Sequence, residues 1–124
     1  MIFYVSLSGG GNDAIQFFKD GSNSDLIQFN IADGGAGVSL LTSTVAFVAD
    51  TRVKVAGSYK VGASNLSADG ESAVTGTPAS LPTLSDKLYI GTQATPSLHL
   101  FGTIKRLVYW PSYGVDGVIE RLSA

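Results

Sequence analysis

Cysteine is missing from the chain altogether, histidine occurs once, and glutamate only twice, at Glu71 and Glu120. Without a thiol there is no disulfide framework, no thiolate nucleophile and no Cys-ligated zinc, and the redox compartment leaves no mark. A serine triad would have to use His99, yet no serine sits in a Gly-x-Ser-x-Gly turn, and zinc held through imidazole would have one ligand. Charge is scarce as well. Only 15% of residues are charged, with a net charge of -2 and a pI near 5.1. That balance supplies no basic field for phosphate, so neither nucleic acid nor a membrane surface is an expected partner. Long apolar runs are absent too: Met1-Ile-Phe-Tyr-Val-Ser-Leu7 lacks a basic flank and is too short for a signal peptide or a membrane span.

What is present is glycine and alternation. Fifteen glycines, one Met and 44% hydrophobic residues in 124 positions predict one all-β domain, residues 1–124, with many turns around a single core. Phe3, Val5 and Leu7 form a first strand, and Ile15 and Phe17 a short second one. Ile27, Phe29 and Ile31 alternate with Gln28 and Asn30 in a third, and Val38 and Leu40 continue the meander. Residues 42–51 fit a buried strand or one helical turn, and the strand is the preferred reading. From Arg52 a long strand places Val53, Val55, Tyr59 and Val61 on one face, with Gly57 marking a bend. Two short strands, 63–68 and 71–75, flank Asp69-Gly70, a dipeptide suited to a turn with positive φ at both central residues.

The end of the chain is more distinctive. Leu88-Tyr-Ile-Gly-Thr, a loop carrying Thr95-Pro-Ser-Leu-His99, and Gly102-Thr-Ile-Lys-Arg-Leu-Val-Tyr-Trp-Pro111 read as two strands and their connection, with a short helix from Asp116 to Leu122. Ile104, Leu107 and Tyr109 share a face only if Lys105 and Arg106 form a β-bulge. Leu88 and Ile90 then point inward and Tyr89 outward. Trp110 leaves the core face.

That closing pattern resembles the end of laminin-G-like, concanavalin A-like jelly-roll domains, most closely those of bacteriophage tail and other virion proteins. Residues 52–60 resemble that family's long central strand, Ala68-Asp-Gly-Glu71 its hairpin turn, and Ser80-Leu-Pro-Thr83 the approach to the Leu-x-Ile-Gly strand. The likeness covers residues 53–122, while the first fifty match in rhythm alone. Tyr113-Gly-Val-Asp116 stands where the family has Leu-Ser before its helix, and the leading strand common in such domains is missing. The resemblance implies an antiparallel β-sandwich of jelly-roll type with a short C-terminal helix, located on the virion surface without a secretion signal.

Glucanases of that fold carry two or more carboxylates in a Glu-x-Asp-x-x-Glu run on one strand, which this chain lacks, so the expectation is a non-enzyme. Gly9-Gly-Gly11 has no following Lys and reads as a turn. The loops at Asn12-Asp13 and Asp20-Gly-Ser-Asn-Ser-Asp25 are rich enough in oxygen to make calcium the metal to consider, with Asp20 and Asp25 as candidate ligands, although the same residues stabilise turns. Glycan recognition needs rings that stack on sugar and nearby groups that bind its hydroxyls, and Trp110, Tyr113, Tyr89 and His99 are the candidates. Each of these has an ordinary structural role as its alternative. The expected function is adhesion to a host-surface carbohydrate; the rival is a structural or assembly module that binds a neighbouring virion protein or its own copies through an open sheet edge.

Overall fold

Ile27, Phe29 and Ile31 are buried while Gln28 and Asn30 between them are half-buried, the period of two that a strand with one dry face imposes. The computed structural model describes residues 4–8, 13–19, 25–83, 87–91 and 102–124. Among these, eight strands make two antiparallel sheets: β1 (Tyr4–Ser8), β2 (Ala14–Lys19), β3 (Leu26–Asp33), β4 (Ala36–Ala46), β5 (Val55–Lys60), β6 (Ala63–Ala68), β7 (Val74–Gly76) and β8 (Lys87–Ile90), followed by helix α1 (Asp116–Ser123). The larger sheet runs β4-β3-β2-β1-β8 and the smaller β5-β6-β7. Both are meanders, and β8 returns to pair with β1. The chain is therefore all-β with one short C-terminal helix.

One core joins the sheets. Ile15, Phe29, Ile31 and Leu41 of the larger sheet meet Leu66 of the smaller, with Phe17, Val38, Val55, Tyr59, Val74 and Leu81 packed around them. Phe17 stacks on Phe29 with ring centroids 4.4 Å apart, and Tyr59 tilts against Phe29 at 6.3 Å. A hydroxyl pair, Ser39 and Ser64 at 2.9 Å, also bridges the layers. Beside it, a Cβ on Gly76 would lie 2.8 Å from Ser39 Oγ and 2.9 Å from Leu41 Cδ2, so glycine lets β7 approach β4.

The turns follow their residues. Gly34 and Gly35, at φ 60° and 83°, make the two-residue connection between β3 and β4. Asp69 and Gly70 take positive φ, as their dipeptide implies. The strand expected at 71–75 forms later, at Val74–Gly76: Asp69 and Gly70 make a turn closed by Glu71 N donating to the Ala68 carbonyl, and residues 71–73 are irregular. The long strand expected from Arg52 begins at Val55; Val61 falls in the β5–β6 turn and is exposed, whereas Val55 and Tyr59 do face the core. Gly57 makes no break in pairing, since its register with Leu66 is continuous. It is glycine because a Cβ there would lie 2.7 Å from Phe17 Cζ.

Residues 103–110 overturn one expectation. They form no regular strand, so there is no bulge at Lys105 and Arg106, and Leu107 is 45% exposed rather than buried. The small sheet ends at β5, and this segment crosses beside that edge without pairing to it.

Candidate functional site

The crossing segment, residues 102–115, is a strap that meets β5 where Tyr109 contacts Tyr59, and a cleft of about 1850 Å³ lies between the strap and the body. Successive residues of β5, from Val55 to Tyr59, line one wall, because among the described strands β5 is the outermost of its sheet and its far side faces the space. The opposite wall contains Leu107, Val108, Tyr109 and Trp110, all at least two-fifths exposed, and Leu88, Val115, Val118 and Leu122 continue the apolar lining. Among the described residues four cationic ones also line it, Arg52, Lys54, Lys105 and Arg106, with Asp50 as the one acidic side chain. Burial, followed by the hydrogen bond that the Tyr59 hydroxyl donates to Tyr109 and the charge of that second phenol, pushes the Tyr59 hydroxyl above its ordinary 10.0.

A polar seam fastens the strap at its C-terminal end. β6 is buried on both faces: Ser64 and Leu66 look toward the larger sheet, and Asn65 and Ser67 toward α1. Asn65, with no exposed surface, accepts from Ser58 N at 3.1 Å and Ser58 Oγ at 2.5 Å. Its amide nitrogen donates to Asp116 Oδ1 at 2.8 Å and the Gly114 carbonyl at 3.0 Å, and lies 3.3 Å from the Tyr113 hydroxyl. Ser67 and Ser123 hydroxyls pair at 2.7 Å, while Ala73 N donates to Glu120 Oε1 at 2.8 Å. No periodicity argument singles out Asn65, since a polar residue in a strand normally marks the wet face. The Asp116-to-Leu122 helix behind it was the available hint.

A second surface is the face of the larger sheet turned away from the core. Register places Tyr89, Ser6, Gln16, Asn30 and Leu40 in one row across all five strands, and Phe18, Gln28 and Thr42 in the next. At the usual strand spacing the first row runs roughly 19 Å. Gln16, Gln28, Asn30 and Thr42 are half-buried and Leu40 is 56% exposed. A 3.5 Å contact joins Gln28 Nε2 to Thr42 Oγ1. No described element packs on this face; the small sheet and helix lie on the other side.

The expected glycan residues are thus separated. Trp110 and Tyr113 both line the cleft, Trp110 with about half its surface open. Tyr113 is already engaged: Lys60 Nζ sits 4.6 Å over its ring, and its hydroxyl meets Asn65. Tyr89 lies on the opposite side of β8, in the outer row, and Leu88 is the β8 residue that reaches the cleft. Leu88 and Ile90 do share the core side of the sheet in register with Leu7 and Val5, yet both are about half exposed, because among the described strands β8 is the outermost of its sheet, beyond the cover of the small one. His99 and Asp20 lie outside the described residues. Asp25 has φ 54°, pairs its carboxylate with Lys19, and accepts Phe47 N on its carbonyl. Among the described residues no three His, Cys, Asp or Glu side chains gather as a metal group, and no helix is long and apolar enough to cross a membrane.

No protein-family model matches the chain, and no curated protein does. Among solved structures it is similar to a fragment of an S-layer domain-containing protein from Clostridium thermocellum ATCC 27405, with a TM-score of 0.55 and 20% identity. The match covers all of this chain and 63% of that one, so the chain spans less than two thirds of its neighbour's length. At that identity the likeness speaks for the fold.

Proposed function

We propose that the chain is a non-catalytic adhesion module of a virion surface, and that it binds host-surface carbohydrate across the outer face of its larger sheet. The observation that carries this reading is the half-buried array of Gln16, Asn30, Gln28 and Thr42, on which no described element packs, flanked by Tyr89 and Leu40. Amides and hydroxyls on adjacent strands offer donors and acceptors about 5 Å apart, which can reach hydroxyls on non-adjacent carbons of a sugar ring, and an aromatic ring at the end of the row gives a stacking surface. Rigid strands hold these groups in place before the ligand arrives, which lowers the ordering cost of binding. Of the three expected residues that the structure describes, Trp110, Tyr113 and Tyr89, Tyr89 is the one on this face.

A glycan-array screen of the purified protein, run with calcium and with a chelator, tests the reading and the calcium expectation together. Specific binding that weakens about tenfold in the Gln16→Ala/Asn30→Ala variant, with an unchanged melting transition, supports it; two lost polar contacts are worth about that much. A blank array for the folded protein refutes it. Binding abolished by Trp110→Ala but kept in the double variant would move the glycan to the cleft.

The solved neighbour favours a second reading. Its description as an S-layer domain-containing protein fits a structural module whose task is packing with other proteins in a surface assembly. On that reading the array stays blank and the protein self-associates in solution.

A further inference from the structure

We propose that the cleft under the strap is a docking site for an extended acidic segment of a partner protein, laid along β5. Three observations converge on that occupant. First, β5 is paired by β6 on one side and by no described strand on the other, and its residues from Val55 to Tyr59 line the cleft consecutively. An unpaired edge is a template for another strand, which gains main-chain hydrogen bonds there whatever its side chains are.

Second, the charge is lopsided. The chain has eight Lys and Arg and a net charge of -2, yet among the described residues four of the eight line this cleft beside one acidic side chain, Asp50. Lys54 Nζ already donates to the Ala124 carbonyl, which leaves Arg52, Lys105 and Arg106, all exposed, to meet carboxylates along both walls. Third, the lining between those cations is apolar and open: Leu107 is 45% exposed, Trp110 52% and Val115 60%. Contiguous exposed apolar surface rimmed by charge marks a protein contact. At about 1850 Å³ the space also exceeds what a small ligand fills, since such pockets measure roughly 300–1,000 Å³. A segment of about six residues would match β5 in length, with alternate side chains apolar toward the strap and acidic toward the rim.

The site is separate from the outer face, so the two proposals stand or fall independently. The test uses a fluorescein-labelled peptide of about eight residues alternating Glu and Val, with Lys/Val and Ser/Val peptides as controls, followed by anisotropy. The acidic peptide is expected to bind best, to weaken about tenfold or more between low and high salt, and to weaken about tenfold in Lys105→Glu/Arg106→Glu. It is also expected to slow amide exchange in residues 55–59. The milder Lys105→Gln/Arg106→Gln variant, checked for an unchanged melt, keeps the result readable if charge reversal disturbs the fold. Equal binding of all three peptides, binding without protection of β5, or no binding would overturn the proposal. So would heparin displacing the acidic peptide while binding more tightly, which would assign the cleft to an anionic polysaccharide. Concentration-dependent self-association that the peptide does not compete with would assign it to a second copy and equally overturn the proposal.

Discussion

Asn65 shows how one side chain can decide where a helix sits. Its amide has two hydrogens and its carbonyl two lone pairs, and the partners around it, Ser58, Gly114, Asp116 and Tyr113, use all four. Asn65→Ala leaves the Ser58 N–H and the Gly114 carbonyl without this partner in a dry place and is expected to cost about 2–4 kcal/mol, read as a shift in denaturation midpoint. Asn65→Asp is expected to be worse, because it turns an acceptor toward the Asp116 carboxylate 2.8 Å away. Tyr59 gives a pH signature. Its folded-state pKa is raised by burial first and by Tyr109 second, so the folded protein holds the proton that the unfolded chain releases near 10.0. The stability this contributes is complete below about pH 10 and declines as the pH rises beyond it. Tyr59→Phe is expected to flatten that alkaline decline relative to the wild type, and parallel alkaline curves for the two proteins would refute it.

At the scale of the element, close approach explains what pattern reading assigned to bending. A Cβ at Gly57 would meet Phe17 Cζ at 2.7 Å and the Asn65 carbonyl oxygen at 3.1 Å, and Phe17 is held in a stack on Phe29. Gly57→Ala is expected to destabilise by about 1–3 kcal/mol, and Phe17→Leu to recover part of that in a double-mutant cycle; additive effects would contradict the geometry. The strap offers a contrast. With Leu107 45% exposed, Leu107→Ala is expected to cost about 0.5 kcal/mol or less, while Leu66→Ala, at zero exposure, is expected to cost about 2–5 kcal/mol. Strands β2 and β3 were legible because their apolar residues repeat with the period of one buried face, and the C-terminal helix because the end of the chain resembles a family that closes on one. The strap was not, since Ile104, Leu107 and Tyr109 have strand composition whether or not an edge captures them, and pairing is decided by a distant segment. Asn65 was hidden for a related reason: β6 is covered on both sides, so a polar residue there faces helix α1 instead of water.

Across the whole molecule the two proposed surfaces differ most in charge, a property that composition averages away. A net charge of -2 correctly describes the chain but conceals that the fold gathers Arg52, Lys54, Lys105 and Arg106 around one cleft. The candidate site was legible only in fragments for this reason: Trp110, Tyr113 and Tyr89 were visible as aromatic residues near the end of the chain, but the register that puts Tyr89 beside Gln16 and away from Trp110 depends on β1 lying between β8 and β2. Lys87 takes the same-face register position opposite Ser8, but the two rows proposed to hold glycan, with Tyr89, Gln16, Asn30, Leu40, Phe18, Gln28 and Thr42, contain no Asp, Glu, Lys, Arg or His. Screening therefore has little to act on there, whereas at the cleft rim the Debye length shrinks from about 30 Å at 0.01 M to about 3 Å at 1 M salt. Glycan affinity is expected to change less than about twofold over that range while acidic-peptide affinity falls at least about tenfold, measured on the same protein. Glycan binding that weakens in step with the peptide would mean that both ligands sit at the cationic cleft, and that the amide rows of the outer face are only a solvated side of the sheet.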